Sequence, residues 1–116
     1  MKFISLQHIS IEDPGTFKDF LIEDGHSITT IQLDEGDSIP NNLDEFDAML
    51  CMGGPMDTFM EDQYPWLVTE KQAIGEYVLN LKKPFLGFCL GHLIPIKTLK
   101  NSLLFRLQFN INFRLI

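Results

Sequence analysis

Apolar positions along the chain change period several times, and each change marks a predicted element. Phe3-Ile4-Ser5-Leu6 starts a β-type run that ends near Gln7-His8-Ile9. Asp13-Pro14 supplies an N-cap and a first-turn proline; Phe17, Phe20 and Leu21 follow at helical spacing until Gly25 closes the segment. Ser27 to Leu33, rich in Ile and Thr, predicts a second strand, and the stretch 34–42, with Gly36, Pro40 and several acids, predicts a loop. Ala48-Met49-Leu50-Cys51-Met52 is a continuous apolar run, as a strand covered on both faces requires, and it stops at Gly53-Gly54-Pro55. Beyond a polar loop to Pro65, Leu67, Ile74, Val78 and Leu81 form a helical stripe with charges opposite, crossed by Gly75 at a cost of about 1 kcal/mol. Phe85 to Cys89 predicts a fourth strand.

Strands alternating with helices in this way imply an α/β domain on a parallel sheet with right-handed crossovers. The 116 residues suffice for one domain with its own core. From Leu93 the pattern differs: Leu, Ile, Phe, Asn, Lys and Arg dominate, with no Gly and no acid. Leu99, Leu103 and Leu107 mark one helical face, and 110–116 alternates more like a strand.

Charge sharpens the same boundary. The net charge of −7 argues against an electrostatic surface for nucleic acid or membrane. Residues 1–92 carry all 16 acids and five bases, whereas 93–116 carry four bases and no acid. There is no charged leader followed by a long apolar segment and no run of about 18 apolar residues, so the chain is expected to be cytoplasmic. Two cysteines, Cys51 and Cys89, without framework spacing fit a reducing compartment.

The candidate chemistry lies in Gly87-Phe88-Cys89-Leu90-Gly91, directly after Pro84-Phe85-Leu86. A nucleophile between glycines, where a strand runs into a helix, describes a nucleophile elbow; Gly87 and Gly91 are needed because side chains there would clash. Cys89 then lies at a helix N-terminus, which favours its thiolate. In an open parallel sheet ligands bind beyond the carboxyl ends of the strands, and Gln7-His8, Gly53-Gly54-Pro55 and Cys89 all converge on that edge. Backbone N–H groups of Gly54 and Leu90 are the natural donors to an oxyanion formed on Cys89, which points to acyl transfer through a thioester. Neither a metal nor a cofactor is expected.

These residues resemble the first half of a class I glutamine amidotransferase domain, most closely its stand-alone GMP-synthase-like members. The matching motifs are Leu6-Gln7-His8, Met52-Gly53-Gly54-Pro55-Met56, Glu61-Asp62-Gln63-Tyr64-Pro65-Trp66-Leu67 and Gly87-Phe88-Cys89-Leu90-Gly91-His92, covering residues 1–92 in the family's order. The resemblance implies a flavodoxin-like open, mostly parallel sheet with helices on both faces, truncated after the elbow. It implies that Cys89 attacks the side-chain amide of glutamine, with Gly54 and Leu90 as the oxyanion hole. Ammonia would pass to a synthase or ligase, and water would release glutamate.

The chain departs from the family after His92. Leu93 stands where the family's elbow continues with a substrate-holding Gln, and no acid follows Glu76. The family's later His base and its acidic partner are therefore missing from these residues, and the chain is expected to be inactive alone. A reading-frame change would leave a tail of this composition, so 1–92 is taken as the N-terminal half-domain and 93–116 as an atypical tail. The other readings are a non-catalytic α/β remnant or interaction module, and a related γ-glutamyl cysteine hydrolase. Cys51 reads as core packing. His8 and Gly53 are candidates for lining the site, with a structural role for His8 as the alternative. His92 projects away from the nucleophile's face, His26 reads as a surface residue beside a turn, and Tyr64 and Trp66 as anchors of the helix.

Overall fold

The structure, a computed structural model, describes residues 1–54 and 60–87. Its elements in chain order are β1 (Lys2–Gln7), α1 (Gly15–Glu23), β2 (Ser27–Gln32), β3 (Ala48–Cys51), α2 (Trp66–Gly75) and β4 (Phe85–Gly87). The strands form one sheet in the order β2-β1-β3-β4, and all three pairings are parallel. This is the flavodoxin-like order. The connections leave β1 and β3 in opposite directions, which makes the gap beyond their carboxyl ends the switch point of the sheet.

The period-2 alternation of each strand decides which helix its side chains meet. Ile4, Leu6, Met49, Cys51 and Phe85 face Leu67, Ile74, Tyr77 and Val78 of the α2 segment, joined by Leu33, Leu43 and Phe46 from the connections. Phe3, Ala48, Leu50, Met52 and Leu86 face the other way, against Phe17 and Leu21 of α1 and Ile28. The two helices therefore cover opposite faces, and β3, apolar at every position, is buried along its whole length. Phe20 departs from the expectation: it lies one step round from the Phe17–Leu21 pair and is 63% exposed.

Local chemistry sets the helix ends. The chain enters α1 through Gly15 at φ +53, a left-handed conformation natural to glycine, and Asp13 Oδ1 accepts the Gly15 N–H at 2.8 Å. That left-handed residue moves the start of α1 beyond the Asp13-Pro14 pair. At the other end Gly25, at φ +86, donates to Ile22 O at 3.0 Å, and His26 N–H donates to Leu21 O at 2.9 Å. These are the paired bonds of a glycine-closed helix C-terminus. Where the sequence predicts one continuous helix across Gly75, α2 ends there and a π-helical turn, Glu76–Asn80, carries the chain on. The turn keeps Tyr77 and Val78 buried, and Tyr77 Oη donates to Phe46 O at 3.1 Å, holding the connection before β3 against the helix. Among the described residues no helix is long and apolar enough to cross a membrane.

Two substitutions separate backbone strain from packing. A Cβ on Gly25 would meet nothing within 4 Å, so Gly25→Ala carries only the left-handed penalty, about 1–2 kcal/mol. Ile74→Ala empties a fully buried position between α2 and the sheet and is expected to cost about 2–5 kcal/mol. Urea unfolding midpoints at constant slope check both.

Candidate functional site

The parallel registers align Leu6 of β1, Cys51 of β3 and Gly87 of β4 in one row across the sheet. Just beyond that row Met52 N–H still donates to Leu6 O at 2.9 Å, after which β1 continues into His8 and β3 into Gly53-Gly54. The two segments meet at the switch point. His8 Nδ1 lies 3.3 Å from Gly53 O, a contact between residues 45 positions apart.

His8 is fully buried beneath the glycine turn. Its Nε2 is 2.5 Å from Glu70 Oε1, and its ring stacks on Trp66 with centroids 5.4 Å apart and planes at 27°. Cys51 Sγ donates to the same Glu70 oxygen at 3.2 Å. Glu70 is itself wholly buried, and its Oε2 has no hydrogen-bond partner among the described residues. A carboxylate in this position requires a charged partner, because an isolated buried charge is too costly to keep. Both acceptors around His8, the Gly53 carbonyl and the Glu70 carboxylate, demand a proton on each ring nitrogen, so the ring is an imidazolium.

Titration follows from these contacts. Burial alone would lower the His8 pKa; the hydrogen bond and charge of Glu70, helped by the carbonyls of Gly53 and Met52, outweigh it and hold the pKa above the ordinary 6.5. At Cys51 burial comes first, then the Glu70 charge and hydrogen bond, and all push the thiol pKa well above its usual value. Cys51 is therefore a protonated, inert thiol. Single donor atoms of His8, Cys51 and Glu70 all lie within 4.8 Å of one another, a spacing one cation could bridge. The hydrogen-bond roles instead put protons between them: the imidazolium supplies the positive charge, and the thiol keeps its hydrogen.

Of the residues picked out from sequence, the structure brings His8 and Gly53 together, with His8 behind the turn. Gly54 is half-buried at its end. Gly87 is buried and level with Cys51. Cys89, Leu90, Gly91, His92 and Leu93 lie outside the described residues, as does Pro55. Cys51 is in the core as expected, with a polar contact that its apolar neighbours did not reveal. Trp66 anchors α2 partly by stacking on His8. His26 is half-buried beside its turn, within 3.1 Å of Asp24 Oδ2 and 3.0 Å of the N-terminal amine. Sequence reasoning missed Glu70. The signal was available: residue 70 falls three after Leu67 and four before Ile74, so this acid sits on the apolar stripe rather than opposite it.

Removing one partner of the buried pair exposes its cost. Glu70→Ala should destabilise by about 3–5 kcal/mol, and Glu70→Gln by less, since the amide still accepts a hydrogen bond. The raised His8 pKa means that the folded state binds the proton more tightly than the unfolded chain. Its stabilising contribution is complete below pH 6.5 and is lost as pH rises through the folded pKa. Urea midpoints should fall with rising pH across that window, and His8→Gln should flatten the slope.

Comparison with known proteins places this arrangement. The glutamine amidotransferase-like protein YfeJ of Salmonella typhimurium is 26% identical over 86 residues, covering 72% of this chain and 36% of that protein. A crystal structure of a glutamine amidotransferase from Thermotoga maritima superposes with a TM-score of 0.82 at 32% identity, covering 88% of this chain and 44% of the other. One of a glutamine amido transferase from Methylobacillus flagellatus gives 0.77 at 28% identity, covering 85% and 39%. The chain thus spans less than half the length of these relatives. The class-I glutamine amidotransferase family model matches residues 17–104, a span that crosses Leu93. With three quarters of its length inside that match and the sheet order, switch-point turn and strand ends in place, the chain belongs to the class-I glutamine amidotransferase family.

Proposed function

We propose that this chain carries the nucleophile half of a glutaminase site of the GMP-synthase-like kind, with Cys89 as nucleophile and Gly54 and Leu90 N–H groups as oxyanion donors. The observation that carries the reading is the row Leu6–Cys51–Gly87. Counting two residues onward from that row reaches His8, Gly53 and Cys89. Gly87 ends β4 level with the strand that leads into the glycine turn, and Cys89 follows it by two residues in sequence. The carboxyl edge of the strands is where ligands bind in such sheets.

In this reading the Cys89 thiolate adds to the side-chain carbonyl carbon of glutamine, forming the S–C bond, and the π pair moves onto oxygen opposite the Gly54 and Leu90 N–H groups. Collapse of the adduct breaks the C–N bond. The departing nitrogen takes a proton and leaves as ammonia for a synthase or ligase acceptor, and water then cleaves the γ-glutamyl thioester to glutamate. The 116 residues hold no histidine after His92 and no acid after Glu76 that would serve as the family's base and its orienting acid. In this reading these residues alone lack the group that would protonate the departing nitrogen and later activate water, so they do not hydrolyse glutamine by themselves. The unpaired Cys51 thiol supports a cytoplasmic setting.

An electrophilic glutamine analogue is expected to modify Cys89 and spare Cys51, with protection by glutamine, as read by peptide mass spectrometry. Cys51 is the internal control, since it is buried and its thiol is held protonated. Equal labelling of both thiols, indifferent to glutamine, would refute the site. Steady ammonia release from glutamine by the chain alone would refute the half-site reading.

A further inference from the structure

We propose that His8 is a positioning residue for the oxyanion site: its Nδ1–H holds the Gly53 carbonyl and so aims the Gly54 N–H away from the core, at the oxygen of the acyl intermediate. The inference rests on the acyl-transfer reading above and assigns a role to a buried pair that the reading itself does not use.

The geometry begins with the peptide group. Gly53 O and Gly54 N–H belong to one planar unit, and no cis peptide bond occurs among the described residues. In a trans unit the carbonyl and the N–H point in opposite directions. A hydrogen bond that draws Gly53 O inward to His8, at 3.3 Å, therefore turns Gly54 N–H outward. Two successive glycines impose little preference of their own on that plane, because neither has a Cβ to restrict it. The orientation has to be supplied from outside the turn.

His8 is well placed to supply it. Its ring is clamped on two further sides, by Glu70 Oε1 at 2.5 Å and by the Trp66 face at 5.4 Å, and no part of it is exposed. The titratable groups facing it among the described residues are Glu70 from α2 and Cys51 from β3, and His8 and Cys51 share Glu70 Oε1. The carboxylate thereby keeps a proton available on each ring nitrogen, so Nδ1 can only donate. The chain Trp66–Glu70–His8–Gly53 carries the rigidity of a packed helix into a turn that has no side chains.

Asn and Gln at position 8 divide the two halves of this device. The Asn amide nitrogen overlays Nδ1 and can donate to Gly53 O, whereas the Gln amide reaches toward Glu70 and leaves Gly53 O without a partner. Two reagents divide the chemistry. L-Glutamate γ-(4-nitrophenyl) ester acylates a thiolate through an oxyanion and expels 4-nitrophenolate, a leaving group that needs no general acid. Iodoacetamide alkylates by direct displacement of iodide and forms no oxyanion. In the full chain we expect His8→Gln to slow acylation of Cys89 about 10- to 100-fold, the range for a misaligned reacting group, while alkylation stays within about twofold. His8→Asn should restore acylation to within a few-fold of the wild type. Equal slowing of both reactions, or Gln performing as well as Asn, would overturn the proposal and leave His8 as packing only.

A second measurement does not depend on acylation. In the ¹⁵N-labelled chain the Gly54 amide resonance should be alike in the wild type and His8→Asn and displaced in His8→Gln. A Gly54 amide that ignores both substitutions would overturn the positioning role. If instead the wild-type Cys89 is not acylated while the Gly54 amide follows His8 as expected, the acyl-transfer reading fails. The positioning of the peptide by His8 then stands, but its catalytic purpose is overturned.

Discussion

A buried imidazolium–carboxylate pair, His8 with Glu70, is the constraint on which the working edge of this sheet depends. Stripping water from both groups costs several kcal/mol each, and their mutual attraction offsets that only when every remaining valence is directed. The fold meets the requirement unevenly. His8 spends one N–H on Glu70 and the other on Gly53 O, and Glu70 Oε1 takes a second hydrogen from Cys51. These contacts join the end of β1, the end of β3, the glycine turn and the middle of α2. A shift of α2 by one turn, about 5.4 Å, would strand both charges, so the pair selects the register of helix on sheet. Apolar packing of Leu67 and Ile74 supplies the affinity between the layers but tolerates sliding far better than a directed pair does.

Much of the fold was legible because alternation and burial coincide. Met49 and Cys51 point to one helix, Ala48 and Leu50 to the other, so β3 needed apolar side chains at every position and reads as an unbroken run. The stop at Gly25 was legible for a different reason: a left-handed residue is required there and glycine supplies it. The failures are equally physical. The start of α1 slipped because a second left-handed glycine, Gly15, opens the helix one residue after the expected first-turn proline, a conformation no periodicity encodes. Phe20 satisfies helical spacing and yet faces solvent, since α1 covers the sheet with a stripe only as wide as Phe17 and Leu21. The π-helical turn after Gly75 is invisible to a 3.6-residue template altogether.

The site divides in the same way. Gly53-Gly54 could be read directly, because a glycine pair at the end of a buried strand has few structural excuses. His8 could be placed at the right edge but not given a partner, since Glu70 lies 62 residues away. Glu70 itself was hidden by a habit of reading amphipathic helices as two faces and assigning each charge to the outer one. An acid three after one core residue and four before the next breaks that habit, and such a residue must have a partner in the sheet below it. His8, the nearest cation-forming side chain at a strand end, was the one candidate the first motif offered.

The pair also sets the character of Cys51, the cysteine that lies among the described residues. Cys51 sits on β3 against a carboxylate, and both burial and that negative charge keep its proton on sulfur. A thiol so placed can neither attack an acyl group nor compete for an electrophile. A cysteine at a helix N-terminus, the setting proposed for Cys89, is instead favoured as the thiolate. The carboxylate that silences one sulfur is the same group that anchors His8 under the oxyanion turn proposed to serve the other. Removing Glu70 would therefore loosen the turn and leave burial alone to keep the Cys51 proton in place, two effects traceable to one buried oxygen atom.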